Sequence, residues 1–116
     1  MFLGFWKKKK EEKQTGTSLT INESLLQMQD LEVIRCINVQ AHFNTKDEEQ
    51  AKLATHDMIR QCLIKIGHTV NSENAINQKE KFEEAVNVEV NRVIANQPFL
   101  CDKLSIDTIS LVERRR

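Results

Sequence analysis

The sequence predicts an all-α fold, an up-and-down bundle of three long helices followed by a short C-terminal helix. Three observations favour it. Capping-box pairs precede two long segments, apolar residues recur at helical spacing, and the connections near 44 and 67–71 are short enough to make successive helices antiparallel neighbours. The length of 116 residues fits one domain, and a hydrophobic fraction of 40% is too high for full disorder.

The first helix is predicted over about 21–43. Thr20 and Glu23 form a capping box, in which the hydroxyl and the carboxylate each satisfy a backbone N–H that the helix leaves unpaired. The apolar residues of the segment surround most of the helix circumference instead of forming one stripe. We therefore expect other elements to cover this helix on several sides, and a homodimer would supply the missing cover.

The second helix is predicted over about 46–66. Thr45 and Glu48 form another capping box, and three acidic residues fall in the first turn, where the positive end of a helix favours carboxylates. Gly67 is expected to end the helix in a left-handed conformation.

The third helix is predicted to begin after a cap at Asn71 or Ser72 and to reach Asn96, before Pro98 prevents extension. Alternating valines at 86, 88 and 90 also suit a strand. Helix is preferred because a strand would leave Phe82 and Ile94 outside any single pattern.

The last segment, 103–113, is predicted to be the short helix, although its apolar residues fit alternating spacing nearly as well. The alternative is an α+β fold in which residues 17–21 pair with 104–111 as a short antiparallel ribbon. The sequence leaves this alternative open.

Charge divides the chain into an arm, a body and a tail. Residues 1–16 carry a net charge of +3, and the C-terminal residues 114–116 are three arginines. Residues 17–113, the predicted helical domain, hold nine basic and fifteen acidic side chains, a net charge of −6. An acidic body disfavours a nucleic-acid site on the folded surface and leaves only the basic ends for anionic partners.

The N-terminal arm is the candidate binding site, because it holds three of the six aromatic residues of the protein in a segment too short to form a core. Its aromatic side chains could enter a lipid surface or a protein partner, with lysines contacting anionic headgroups. Folding back onto the body or having no role are the alternatives. The candidate membrane- or partner-binding residues are Phe2, Leu3, Phe5, Trp6, Lys7, Lys8, Lys9 and Lys10.

No catalytic residues, metal ligands or cofactors are predicted. The histidines and cysteines lack the spacing that brings ligands to one helix face, phosphate-binding glycine loops are missing, and only Gly67 lies inside the body. Cys36, Cys62 and Cys101 are odd in number and widely spaced, which indicates free, buried thiols in a reducing compartment.

These observations predict a non-enzymatic interaction or adaptor module in the cytoplasm, with a protein partner. The arm could attach it peripherally to the inner membrane surface, since no apolar stretch is long enough to span a bilayer. The alternative is a small nucleic-acid-associated regulator that uses its basic termini.

Overall fold

The computed structural model describes residues 16–45 and 56–112, and its fold is α+β, so the predicted all-α helical bundle is wrong. Strands β1 and β2 form a hairpin, helices α1, α2 and α3 follow, and β3 returns to the sheet. The elements are β1 (Thr17–Gln27), β2 (Val33–Phe43), α1 (His56–Gly67), α2 (Ser72–Asn77), α3 (Lys79–Val93) and β3 (Cys101–Leu111). The sheet is antiparallel with strand order β1-β2-β3.

The predicted first helix, 21–43, is instead the hairpin of β1 and β2. The apolar residues alternate along two strands. A period of two, plotted on a helix, places residues on all sides of it, which is why they surround most of the predicted helix circumference. The Thr20–Glu23 pair is therefore no capping box, since both residues lie within β1. With this helix removed, its all-round apolar surface no longer argues for a homodimer.

Helix α1 agrees with the described part of the predicted second helix, and the Thr45–Glu48 capping box extends outside the described residues. Gly67 does lie at the end of α1, but its φ is not positive, so the left-handed ending is wrong. The glycine instead allows close packing, because a Cβ there would lie 3.3 Å from Met28 Sδ.

The predicted third helix is two helices, α2 and α3, separated at Gln78, where φ is −123° and ψ is 55°. Asn71 is the N-cap of α2, and its side chain accepts a hydrogen bond of 2.8 Å from Asn74 N. Helix is correct for the alternating valines, since Val86 and Val90 are buried on α3 while Val88 is exposed.

The predicted short C-terminal helix is strand β3. The α+β alternative therefore gave the correct class, and both of its ribbon segments are strands. They do not pair with each other, because β2 lies between β1 and β3.

In all three strands the alternation of buried and exposed side chains changes phase by one residue at one level of the sheet. In β1 the exposed residues Asn22 and Glu23 are consecutive, with buried positions alternating on either side. The change falls at Ile37–Asn38 in β2 and at Asp107–Thr108 in β3. It is in register, because Ile21 pairs with Val39 and Val39 with Ile106. The left-handed φ of 53° at Asn38 lies at this level.

The core lies between the helices and one face of the sheet. Phe43 and Phe99 meet edge to face with ring centroids 5.8 Å apart, a favourable aromatic arrangement. The largest fully buried side chains come from strands and helices alike: Phe43, Ile21, Leu26, Met28, Ile34, Ile59, Leu63, Ile106, Val39, Val86, Val90 and Cys36.

Asp30 connects the β1–β2 turn to the helical layer. Its Oδ2 accepts hydrogen bonds from Ser72 Oγ at 2.7 Å and Ser72 N at 3.1 Å, and its Oδ1 accepts from Glu32 N. The hydrogen bond from the Ser72 hydroxyl is the main reason that the pKa of Asp30 is lowered. The carboxylate thereby fixes the start of α2 beside the turn.

Candidate interaction surface

The free edge of β3 is closed by side chains of α3. The Asn91 carboxamide donates to Cys101 O at 3.0 Å and accepts from Cys101 N at 2.7 Å. Farther along, Glu83 Oε2 accepts from Ile106 N at 2.6 Å, and Lys79 Nζ donates to Asp107 O at 3.1 Å. These side chains occupy backbone groups that a further strand would need, so this edge is protected.

The free edge of β1 has no comparable cover from the described residues. Within residues 16–45 and 56–112, every backbone hydrogen bond of β1 is made inside the hairpin with β2. The one side-chain bond from its end is Thr17 Oγ1 to Thr45 O, 3.0 Å long, which leaves the strand backbone unused. An eleven-residue strand with an open edge can accept another strand.

The sequence of β1 does not protect this edge either. It contains no proline and no lysine, the residues that commonly discourage strand addition. Its one charged residue, Glu23, forms an ion pair with Arg35 of the neighbouring strand, with 2.8 Å between Oε2 and Nε. Leu25 is 55% exposed, so an apolar side chain lies next to the open edge.

The outer face of the sheet is polar and carries cross-strand pairs. The Asn38 carboxamide donates to Asp107 Oδ2 at 3.4 Å, and His42 Nδ1 lies 3.3 Å from Asp102 Oδ2. These pairs connect β2 to β3, whereas the Glu23–Arg35 pair connects β2 to β1. The outer side chains therefore reinforce the three-stranded register.

A buried carboxylate joins α1 to α3 on the helical side. Glu89 is 9% exposed and receives Arg92 Nη2 at 2.7 Å and Lys65 Nζ at 3.0 Å. Hydrogen bonding from Arg92, with a second contribution from Lys65, lowers the pKa of Glu89 to about 2. The carboxylate is thus ionised and satisfied, which marks a packing contact and not an acid or base.

The cysteines are also arranged for packing. All three are free and buried, and burial raises the pKa of Cys36 to about 12 and that of Cys62 and Cys101 to about 11. A thiol that stays protonated is a poor nucleophile. In the part of the chain that the structure describes, no group of three or more His, Cys, Asp or Glu residues could hold a metal ion.

The sequence-predicted site residues, from Phe2 to Lys10, lie outside the described residues. The structure does place the end of the arm, because Gly16 directly precedes β1. Gly16 has a φ of 127°, and a Cβ there would lie 2.6 Å from both Phe43 O and His42 Nε2. Only glycine fits where the arm meets the sheet.

The open edge was missed from the sequence because β1 was assigned to a helix. A usable signal was present in TSLTI at 17–21, which alternates and was considered only as one half of a ribbon. Among the described residues, no helix is both long enough and apolar enough to cross a membrane. Comparison of the sequence with protein-family models and with curated proteins finds no match.

Proposed function

We propose that this chain is a non-enzymatic protein-interaction module that binds an extended segment of its partner as a fourth strand beside β1. The observation that supports this most is the difference between the two sheet edges. Side chains of α3 make four hydrogen bonds to the backbone of β3, while the edge of β1 is left open by the described residues. Strand addition uses such a row of unpaired N–H and C=O groups.

The arm gives this module a second contact. The arm continues directly into β1 through Gly16, so a partner that binds Phe2, Phe5 and Trp6 would be joined through the chain to the strand with the open edge. We propose that the arm attaches the module to its partner or to the inner, anionic membrane surface. Three free buried cysteines support a cytoplasmic location.

Site-specific photo-cross-linking in cells tests the strand-addition proposal. A photoreactive phenylalanine analogue would replace Thr20 on β1 in one variant and Lys103 on β3 in a matched variant, both of which are exposed. We expect discrete protein adducts from position 20 and none from position 103, where α3 covers the neighbouring edge. Equal adducts from both positions, or none from position 20, would refute the proposal.

The arm is tested separately with purified chain, with and without residues 1–13. Loss of binding to anionic vesicles on truncation, with no loss for neutral vesicles, supports membrane attachment. The second candidate function, a nucleic-acid-associated regulator, is supported by the basic ends of the chain. It predicts salt-sensitive DNA binding that does not depend on Trp6.

A further inference from the structure

We propose that the fourth strand is β1 of a second copy of this chain, so that two molecules form a continuous six-stranded antiparallel sheet. This inference rests on the proposed function, because it needs the same open edge. The two-fold axis would be perpendicular to the sheet and would pass between the two β1 strands, at the level between Asn22 and Glu23. This is the level at which the alternation of the strands changes phase.

The change of phase restricts which strands can join the sheet. Side chains directly opposite each other on neighbouring strands point to the same face. A strand that alternates regularly along its whole length would match β1 on one side of Asn22–Glu23 and mismatch it on the other. β2 and β3 avoid this mismatch because the alternation of each changes phase at the same level. A fourth strand must do likewise.

β1 itself meets this requirement when it is reversed. Its buried positions are Leu19 and Ile21 before the change, and Ser24 and Leu26 after it. Leu19 and Leu26 are equally far from the midpoint between residues 22 and 23, and so are Ile21 and Ser24. The pattern therefore reads the same in both directions, which is the symmetry that an isologous two-fold contact needs.

The register of the contact follows from this symmetry. Leu19 lies opposite Leu26 of the second copy, and Ile21 lies opposite its Ser24, all on the face that packs against the helices. On the outer face Thr20 lies opposite Leu25 of the second copy, so the exposed leucine gains a neighbour. Aliphatic and β-branched side chains in such cross-strand pairs stabilise a sheet.

Electrostatics permits self-association along this edge. Glu23, the one charged residue of β1, already pairs with Arg35 and would lie opposite Asn22 of the second copy. The two Glu23 carboxylates are therefore not placed directly opposite each other. The two carboxylates are diagonal neighbours across the axis, and the ion pair that each keeps with Arg35 of its own molecule offsets their repulsion.

The test is sedimentation of the full chain over a range of concentrations, with pairs of charges built into the proposed register. Thr20→Lys/Leu25→Lys places two like-charge pairs across the two-fold axis, whereas Thr20→Lys/Leu25→Glu places two opposite-charge pairs. We expect the wild-type chain to dimerise, and the dissociation constants of the two double variants to differ by about tenfold or more, with the opposite-charge variant tighter.

The control is Thr20→Lys/Ser110→Glu, which has the net charge of the opposite-charge variant but places the glutamate on β3, away from the open edge. It should dimerise more weakly than Thr20→Lys/Leu25→Glu. Thermal unfolding of each variant verifies that the monomer folds.

A wild-type monomer at every concentration, or a dimer equally tight in all variants, overturns the second-copy proposal. If cross-links from position 20 then identify a different protein, the proposed function survives without this inference; if position 20 gives none, both fail.

Discussion

Asn91 binds Cys101 as a neighbouring strand would, with its carboxamide accepting from Cys101 N at 2.7 Å and donating to Cys101 O at 3.0 Å. The side chain of a helix thereby replaces a backbone at the start of β3. This relationship makes the helical layer part of the sheet's hydrogen bonding, so a change on α3 affects the edge of β3 directly.

Asn91→Ala is expected to destabilise the domain by about 1–3 kcal/mol, because it leaves the partly buried N–H and C=O of Cys101 without partners. Asn87→Ala, one turn earlier on the same helix, is the matched control. Asn87 Oδ1 is buried and has no hydrogen-bond partner within the described residues, so its removal should cost less. Urea unfolding of both variants measures the difference, and an equal loss would contradict the role given to Asn91.

Acidification is expected to weaken the contact between α1 and α3. The pKa of Glu89 is about 2 in the folded chain against an ordinary 4.5, so its ionised form contributes stability above 4.5 that is lost as the pH falls towards 2. Glu89→Gln should lower the urea midpoint at neutral pH and reduce the further loss on acidification. A variant with the same pH dependence as the wild type would show that Glu89 does not carry this effect.

The contact between Phe43 and Phe99 is expected to be cooperative. Phe43→Ala should lower the unfolding free energy by about 3–5 kcal/mol, since it removes a fully buried ring. A double-mutant cycle with Phe99→Ala should give a coupling energy of about 0.5–1.5 kcal/mol. Either single substitution already removes the edge-to-face contact, so the double variant should lose less stability than the sum of the two single losses. Additive losses in calorimetry would indicate that the rings contribute independently.

The three thiols are expected to resist alkylation in the native protein and to react once it unfolds. Burial and a raised pKa both suppress the thiolate, and Cys36, with its pKa near 12, should be the slowest. Iodoacetamide labelling followed by mass spectrometry, with and without denaturant, measures this. Rapid native labelling at Cys62 or Cys101 would show that α1 or the start of β3 opens readily.

The helical half of the fold was largely predictable from the sequence. Asn71 is the cap that its side chain suggests, and the buried positions of α3 follow the spacing of Phe82, Val86 and Val90. The interruption at Gln78 was missed because no glycine or proline marks it, and polar glutamine is compatible with an exposed helix position.

The sheet was less predictable because two local patterns were misleading. The Thr20–Glu23 pair has capping-box spacing but lies within a strand, and the turn after β1 places Leu31 at a φ of 68° instead of a glycine or asparagine. The change of phase at Ile37–Asn38 also interrupts the alternation of β2. The strand structure depends on pairing with β3, which is distant in the chain. The spacing of apolar residues within one segment cannot reveal this pairing.

The N-terminal site residues remain a prediction, since Phe2 to Lys10 lie outside the described residues. The open edge of β1 could not be predicted from composition. An edge is a property of strand order, and strand order depends on β3 returning beside β2 from a distant part of the chain.

The coincident change of phase in the three strands limits how the length of this protein can vary. Adding or deleting one residue within Val33–Phe43 would reverse the direction of every side chain in half of the central strand, relative to both neighbouring strands. Side chains such as Arg35 or Gln40 would then be buried. Length variants and grafted peptides should be tolerated instead in the exposed connection around 95–98, where the pairing of the strands is unaffected.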